Sequence, residues 1–339
     1  MESIQIIGAG GIGCAVGANL IRAGCSVTLI DRKTSKIDHG NRDGVGVDGK
    51  FLKPLRFLHF DDWQPKPGEI FLLCTKCYDN QEVLNRLPDD SILIPIQNGF
   101  DPQLAAQNHA LEGIASFVSE CESDRPRTRI TRKGVLHFGP RKEGQTHVLM
   151  GQLAEKLEQG KLFPIKRVTG IEPFKYTKLM YNAAISPIAA AAGIDNGQLL
   201  SDRMARGLFF DLLQENYRIL SEAGIELGKI GPFHPRRVAA ILRRRWLAKL
   251  LSWAFEPSLR GTYCSMAPDL PRGKTEIDFY NQRLIDVAQD RPCPLNRAVV
   301  KLIKEMERDR IPPCREMLTR IRQKRFGGRD EGFVRRDEG

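Results

Sequence analysis

Short apolar runs alternate with amphipathic stretches over the first hundred residues. Residues 3–7, 26–30, 69–75 and 91–96 are rich in Ile, Leu and Val, and each is long enough for one buried strand. Residues 11–23 place Ile12, Val16, Leu20 and Ile21 at helical spacing and stop at Gly24; residues 80–87 repeat the helical pattern. Strands alternating with helices predict a parallel sheet with helices on both faces. Residues 134–139 and 147–150 read as a hairpin that finishes this part. From Glu172-Pro173, where proline suits the first turn of a helix, the pattern is helical almost throughout: 173–192, 202–223, 235–255, 275–288 and 295–308. The expected fold class is α/β: a doubly wound sheet over residues 1–170, then an all-helical domain over 171–320. Residues 321–339 are polar and charged and are expected to form a disordered basic tail.

The first strand runs directly into Gly8-Ala9-Gly10-Gly11-Ile12-Gly13, which opens the first helix. Gly8 permits the tight turn, Gly10 lets backbone amides approach a pyrophosphate, and Gly13 allows close helix packing. A phosphate at that helix N-terminus is favoured by N–H groups and by the helix dipole. Strand, loop, helix and next strand in register make this a Rossmann-type dinucleotide site. The end of the second strand reads two ways. Asp31 suits the ribose diol of NAD(H), whereas Arg32 and Lys33 suit the 2′-phosphate of NADP(H), which is favoured. Lys76 and Asn98 follow two further strands, at the edge where parallel sheets bind ligands.

In the helical half, Lys178, Asn182 and Ser186 recur every four residues and share one helix face. Their neighbours Leu179, Met180, Ala183, Ala184, Ile185 and Ile188 are apolar, so an ammonium and an amide there call for a polar ligand. Asn196-Gly197 follows. A second polar cluster joins Ser265 and Asp269 to Lys274, Glu276, Asp278 and Asn281, with Glu276 at a helix start.

Composition narrows the class. The 339 residues are 41% hydrophobic and 27% charged, as in a soluble globular protein. No apolar run reaches the ~18 residues of a membrane span, and the N-terminus lacks the layout of a signal peptide, so a cytoplasmic protein is expected. The net charge of +11 gathers at residues 236–249 and 320–336. Val238, Ile241, Leu242, Trp246 and Leu250 form an apolar stripe there, so the arginines read as a solvated helix face and nucleic acid is not an expected partner. The eight cysteines are expected to be reduced; Cys74-Thr-Lys-Cys77 is a lone pair, and the six histidines show no metal-ligand spacing, so no metal is expected. Residues 44–50 have phosphate-loop spacing, but Phe51 stands where Ser or Thr is needed, and they read as a turn-rich connection.

Taken together, the glycine loop, Arg32, Lys76, Gln97-Asn98-Gly99, Lys178 with Asn182, Asn196-Gly197, Ser265-Met266, Asp269 and Thr275-Glu276-Ile277-Asp278 resemble the ketopantoate reductase (2-dehydropantoate 2-reductase) family. The resemblance implies a Rossmann domain, a helical domain, and a site in the cleft between them. It implies NADPH-dependent reduction of ketopantoate to pantoate, on the route to pantothenate and coenzyme A. By position, Lys178 resembles the catalytic lysine. Glu276 resembles the carboxylate that orients cofactor and lysine. Asn182, Ser186, Asn196 and Ser265 resemble the substrate groups, and residues 8–13 with Arg32, Lys76 and Asn98 the cofactor groups. The partner implied is a small 2-keto acid; a homodimer is compatible with this reading. Ser186 replaces a usual asparagine, Gln282 a usual glycine, and Asp31 a usual small residue. These departures keep open a different 2-keto or 2-hydroxy acid, with NADH as cofactor. A non-catalytic dinucleotide-binding protein is the third reading.

Overall fold

The computed structural model describes residues 3–53, 55–144 and 148–326. It falls into two compact units, Met1–Lys178 with Leu227–Phe233, and Leu179–Glu226 with His234–Gly339. In the first unit the strands are β1 (Ile4–Ile7), β2 (Val27–Asp31), β3 (Val45–Val47), β4 (Lys50–Leu52), β5 (Arg56–His59), β6 (Ile70–Leu73), β7 (Ile92–Pro95), β8 (Leu111–Ala115), β9 (Val118–Cys121), β10 (Arg127–Arg132), β11 (Leu136–Pro140) and β12 (Ile165–Arg167). Its helices are α1 (Gly11–Arg22), α2 (Thr34–Asp43), α3 (Asn80–Leu84), α4 (Pro102–Ala106) and α5 (Val148–Gly160).

The central sheet is parallel throughout, in the order β5-β2-β1-β6-β7. Ile4 lies beside both Val27 and Ile70. Alternate residues serve opposite faces. Ile4, Ile6, Leu29 and Leu72 pack with Ala15, Val16 and Leu20 of α1. Ile7, Ile30, Phe71 and Leu73 pack with Phe60 and Trp63 on the other face. Burial on both faces is why these strands read as unbroken apolar runs.

Two local readings need correction. Residues 45–52, read as a turn-rich connection, contain a paired β3–β4 hairpin around one tight turn. Its turn residues Asp48 and Gly49 both have positive φ, 49° and 79°, as an Asp-Gly hairpin turn requires. The expected hairpin of 134–139 with 147–150 is absent: β11 pairs antiparallel with β8 and parallel with β12. Residues 148–160 are helical because Leu153, Ala154 and Leu157 share a buried helical face; His147 lies outside the described residues.

Helix α6 (Glu172–Ala192) belongs to the first unit as far as Lys178 and to the second beyond it. The other α-helices of the second unit among the described residues are α7 (Asn196–Ser201), α8 (Arg203–Glu222), α9 (Pro235–Arg243), α10 (Arg245–Phe255), α11 (Arg283–Ala288), α12 (Pro294–Asp309) and α13 (Met317–Phe326). The helix expected over 235–255 breaks at Arg244 (φ −98°, ψ 84°). The break resets the helical register. Ala248 and Ser252 turn inward, while Trp246, Leu250 and Trp253 are 70%, 53% and 77% exposed, so the expected apolar stripe does not continue into α10. α13 extends into the segment expected to be a tail; residues 327–339 lie outside the described residues.

Candidate functional site

At the end of β1 the chain turns at Gly8 (φ 99°), where a Cβ would stand 2.9 Å from the Thr75 amide nitrogen. A Cβ on Gly13 would stand 1.9 Å from the Gly8 carbonyl oxygen, and one on Gly11 would stand 2.5 Å from that of Ser119. Gly10 is different: nothing lies within 4 Å of its Cβ position. α1 has no side-chain cap and no acid in its first turn, which leaves its first amides to an external acceptor. Open space at Gly10 beside uncapped amides fits a dinucleotide pyrophosphate.

The loop is braced from below. The Ala9 N–H donates to Asp31 Oδ2 at 3.0 Å, and the Ala9 carbonyl accepts from Lys36 Nζ at 3.0 Å. Asp31 Oδ1 accepts the Lys33 N–H at 3.0 Å, so both carboxylate oxygens are held by backbone. Arg32 pairs with Glu82 and lies 4.7 Å from the Phe60 ring centre; Lys33 pairs with Asp124 at 2.6 Å.

The carboxyl ends of β6 and β7 are tied by a buried amide network. Gln97 Nε2 donates to the Thr75 carbonyl (2.8 Å) and to Asn80 Oδ1 (2.7 Å), and Asn80 Nδ2 donates to Asp101 Oδ2 (2.7 Å). Asp101 also caps α4 through the Gln103 N–H, at 2.9 Å. Lys76 and Asn98 are half-buried next to Thr75 and Gln97, so the network sets where both emerge.

Lys178 is half-buried on α6. Burial, with the like charge of Arg132 second, lowers its pKa to about 8. The turn before it is anchored twice. Thr177 Oγ1 donates to the Gly228 carbonyl at 2.8 Å, and Lys175 Nζ donates to buried Glu112. Burial alone would raise the Glu112 pKa, but Lys175 and His109 outweigh it and hold the group at about 2.

In the second unit Pro187 sits inside α6 and has no N–H for the Ala183 carbonyl. Asn281 Nδ2 supplies the missing donor at 2.8 Å, and also bonds Asn296 Oδ1 at 2.9 Å. Asn296 Nδ2 in turn donates to Glu215 Oε1 (2.9 Å) and Asn216 Oδ1 (2.8 Å). Asn216 Nδ2 reaches the Met180 carbonyl at 3.0 Å. These bonds grip the part of α6 that carries half-buried Asn182 and buried Ser186.

Asn196 opens α7. Its N–H and Nδ2 both bond Thr262, at 2.9 and 3.0 Å, and its Oδ1 is buried with no hydrogen-bond partner among the described residues. The following Gly197 is required by close approach: a Cβ there would stand 2.9 Å from Arg260 Cα. Ser265 Oγ lies 3.4 Å from the Tyr280 hydroxyl, which donates to Glu276 Oε2 at 3.1 Å. Glu276 is buried and Tyr280 fully so. Tyr280 and Asn281 both lie on a single π-helical turn, Asp278–Gln282, a feature frequent at functional sites.

The structure thus joins Ser265 to Glu276 through Tyr280, braces the glycine loop with Asp31, and ties Thr75 and Gln97, the residues just before Lys76 and Asn98, in one network. Among the described residues no group of three or more His, Cys, Asp or Glu could hold a metal ion, and no helix is long and apolar enough to cross a membrane.

Known proteins bear on this arrangement. The model of ketopantoate reductase PanE/ApbA matches residues 4–152, and that of its C-terminal domain matches 171–307. The chain belongs to the ketopantoate reductase family. It is accordingly an NAD(P)-dependent oxidoreductase of the 2-keto acid class. A 2-dehydropantoate 2-reductase of Pyrococcus horikoshii is 26% identical over 314 residues, covering 90% of this chain and 97% of that one. A ketopantoate reductase of Ralstonia eutropha shares the fold with a TM-score of 0.72 at 20% identity, over 91% of this chain and 99% of its own. A D-mandelate dehydrogenase solved with NADH and anilino(oxo)acetate also scores 0.72, at 18% identity over the same shares.

Sequence reading missed Tyr280, Asn80, Asp101, Asn216 and Asn296. Tyr280 carried a signal, standing one helical turn after Glu276. The amides carried none, because their partners are distant in sequence.

Proposed function

We propose that this chain reduces the ketone of a 2-keto acid with NADPH, with ketopantoate the leading substrate and Lys178 the proton donor. The observation that carries the proposal is an ammonium with its pKa lowered to about 8, one helical turn before Asn182 and two before Ser186. An ammonium so poised can release its proton to a developing alkoxide near neutral pH. When bound, the nicotinamide supplies the hydride. The amides around Gly10 hold the pyrophosphate, and Lys76 and Asn98 hold the ribose and nicotinamide end. Asn182, Ser186, Asn196 and Ser265 bind the acid and its hydroxyls. Asn196 Oδ1, buried and lacking a donor, is suited to a substrate hydroxyl. Glu276, held by Tyr280, orients the cofactor and the ammonium.

NADPH is favoured because Arg32 and Lys33 stand at the loop and pair with exposed acids. Exposed ion pairs are worth about 0–1 kcal/mol, so a 2′-phosphate can displace Glu82 and Asp124. The Asp31 carboxylate is engaged by backbone N–H groups, which lessens its repulsion of that phosphate. The second reading is a different 2-keto acid with NADH. Ser186, shorter than an amide, favours a bulkier substrate than ketopantoate, and the mandelate dehydrogenase bears an aryl hydroxy acid by name.

The test is turnover of a panel of 2-keto acids with NADPH and NADH. Ketopantoate with NADPH is expected to give the highest kcat/KM, and Lys178→Ala to lower it by about 10²–10⁴ with NADPH binding kept. Since the donor must be protonated, kcat/KM should be level below pH 8 and fall above it, following the lowered pKa of about 8. Equal rates for wild type and Lys178→Ala would remove Lys178 from the chemistry, and preference for an aryl keto acid with NADH would select the second reading.

A further inference from the structure

Beneath the glycine loop two thiols meet that the reduction does not use. Cys14, in the first turn of α1, places Sγ 3.3 Å from the Ala9 carbonyl oxygen; Cys121, at the end of β9, places Sγ 3.7 Å from the same oxygen. Contact with one shared oxygen brings the two side chains together. Lys36 Nζ, buried, stands 3.7 Å from the Cys121 sulfur. Cys14 has no exposure, whereas Cys121 is half-buried. The two are far apart in sequence. The adjacent pair, Cys74 and Cys77, is unsuited: burial pushes the Cys74 thiol up to about 12.

We propose that Cys14 and Cys121 form a hydroperoxide-sensitive dithiol whose closure to a disulfide disables the dinucleotide loop. The second half of this rests on the dinucleotide reading above. Cys121 is the attacking group, because it is the reachable sulfur and has an ammonium beside it. Its pKa is lowered to about 6, first by Cys14 and then by Lys36, against burial. The thiolate attacks one peroxide oxygen, the O–O bond breaks, and hydroxide leaves and is protonated to water. Cys14 then attacks the sulfenic sulfur of Cys121. The S–O bond breaks, and the thiol proton leaves with hydroxide as a second water. Two thiols are oxidised by two electrons and one hydroperoxide is reduced. The Cys14 S–H donor to the Ala9 carbonyl is lost, and α1 is pulled at the turn whose amides hold the pyrophosphate.

The experiment treats the full-length reduced protein with hydrogen peroxide, alkylates it, and maps linked peptides by mass spectrometry. NADPH binding is followed by fluorescence in parallel. A Cys14–Cys121 linked peptide is expected, with NADPH binding about tenfold weaker and restored by dithiothreitol. Cys14→Ser should instead leave a sulfenic acid on Cys121 that dimedone traps, and should bind NADPH equally with and without a brief peroxide pulse. If the buried variant fails to fold, Cys121→Ser, at the half-buried position, removes the attacking sulfur and should likewise bind NADPH equally with and without the pulse. Cysteines 14 and 121 that stay open to alkylation, or a disulfide confined to Cys74 and Cys77, would overturn the proposal. A Cys14–Cys121 disulfide with unchanged binding would overturn its effect on the loop. If reduced protein binds no NADPH, the dinucleotide reading fails while the peptide map still decides the disulfide.

Discussion

In the proposed site, the groups offered to a ligand at the glycine loop are backbone amides, whereas around Glu276 and Asn196 they are side chains. The loop needs little from side chains except that some be absent. Gly8 and Gly13 leave room for backbone to meet backbone, and Gly10 leaves room for the ligand. The second unit reaches the same end with buried polar side chains, some bonded within one turn, as Tyr280 to Glu276, and others to groups of another helix, as Asn281 to the Ala183 carbonyl and Asn296 to Glu215. A backbone site fails by crowding, and a side-chain site fails by losing partners.

Crowding should give the largest effect. Gly13→Ala places a methyl against the Gly8 carbonyl, where neither neighbour can yield. NADPH binding is expected to weaken about 100-fold, or ~2.7 kcal/mol, with a lowered Tm. Gly10→Ala meets nothing in the free protein, so its Tm should stay unchanged while NADPH binding falls about tenfold. Fluorescence titration and thermal unfolding of both variants separate the roles. A Gly13→Ala protein that binds like wild type would break the comparison at its strongest point.

The same difference governs what could be read from sequence. Gly8, Gly10 and Gly13 announce themselves because a backbone site is built within one strand, turn and helix, and their spacing is the geometry. Lys178, Asn182 and Ser186 were legible because one helix carries all three. Tyr280 stands one turn after Glu276 and was legible in principle, whereas its approach to Ser265 and that of Asn281 to the carbonyl freed by Pro187 depend on how segments distant in sequence pack, which periodicity does not encode. The reading of Trp246 and Leu250 as part of a buried stripe failed for a related reason: it assumed one helix over 235–255, and the break at Arg244 rotates the second half. The β3–β4 hairpin was legible in Asp48-Gly49 and was masked by its likeness to a phosphate loop.

Losing a partner should give an intermediate effect. Asn281→Ala strands the Ala183 carbonyl and the Asn296 amide, at a cost of about 1–3 kcal/mol in denaturant unfolding. Pro187→Ala restores an N–H at the position that would bond Ala183 within the helix. In that background Asn281→Ala should cost about 1 kcal/mol less, because the helix supplies its own donor. Additive costs would mean that Asn281 does not stand in for the missing N–H.

The smallest effect is expected at Tyr280, and it tests whether the second cluster acts as a unit. Tyr280→Phe keeps the buried ring and removes one hydroxyl, breaking the link from Ser265 to Glu276. One neutral donor to a carboxylate is worth about 1–2 kcal/mol, so kcat/KM for the keto acid should fall about five- to thirtyfold. Ser265→Ala removes the other end of the link. If the hydroxyls act through each other, the double variant should be little worse than the poorer single variant. Multiplying losses would mean that Ser265 and Glu276 reach the substrate independently, with Tyr280 serving only to fill the core between them.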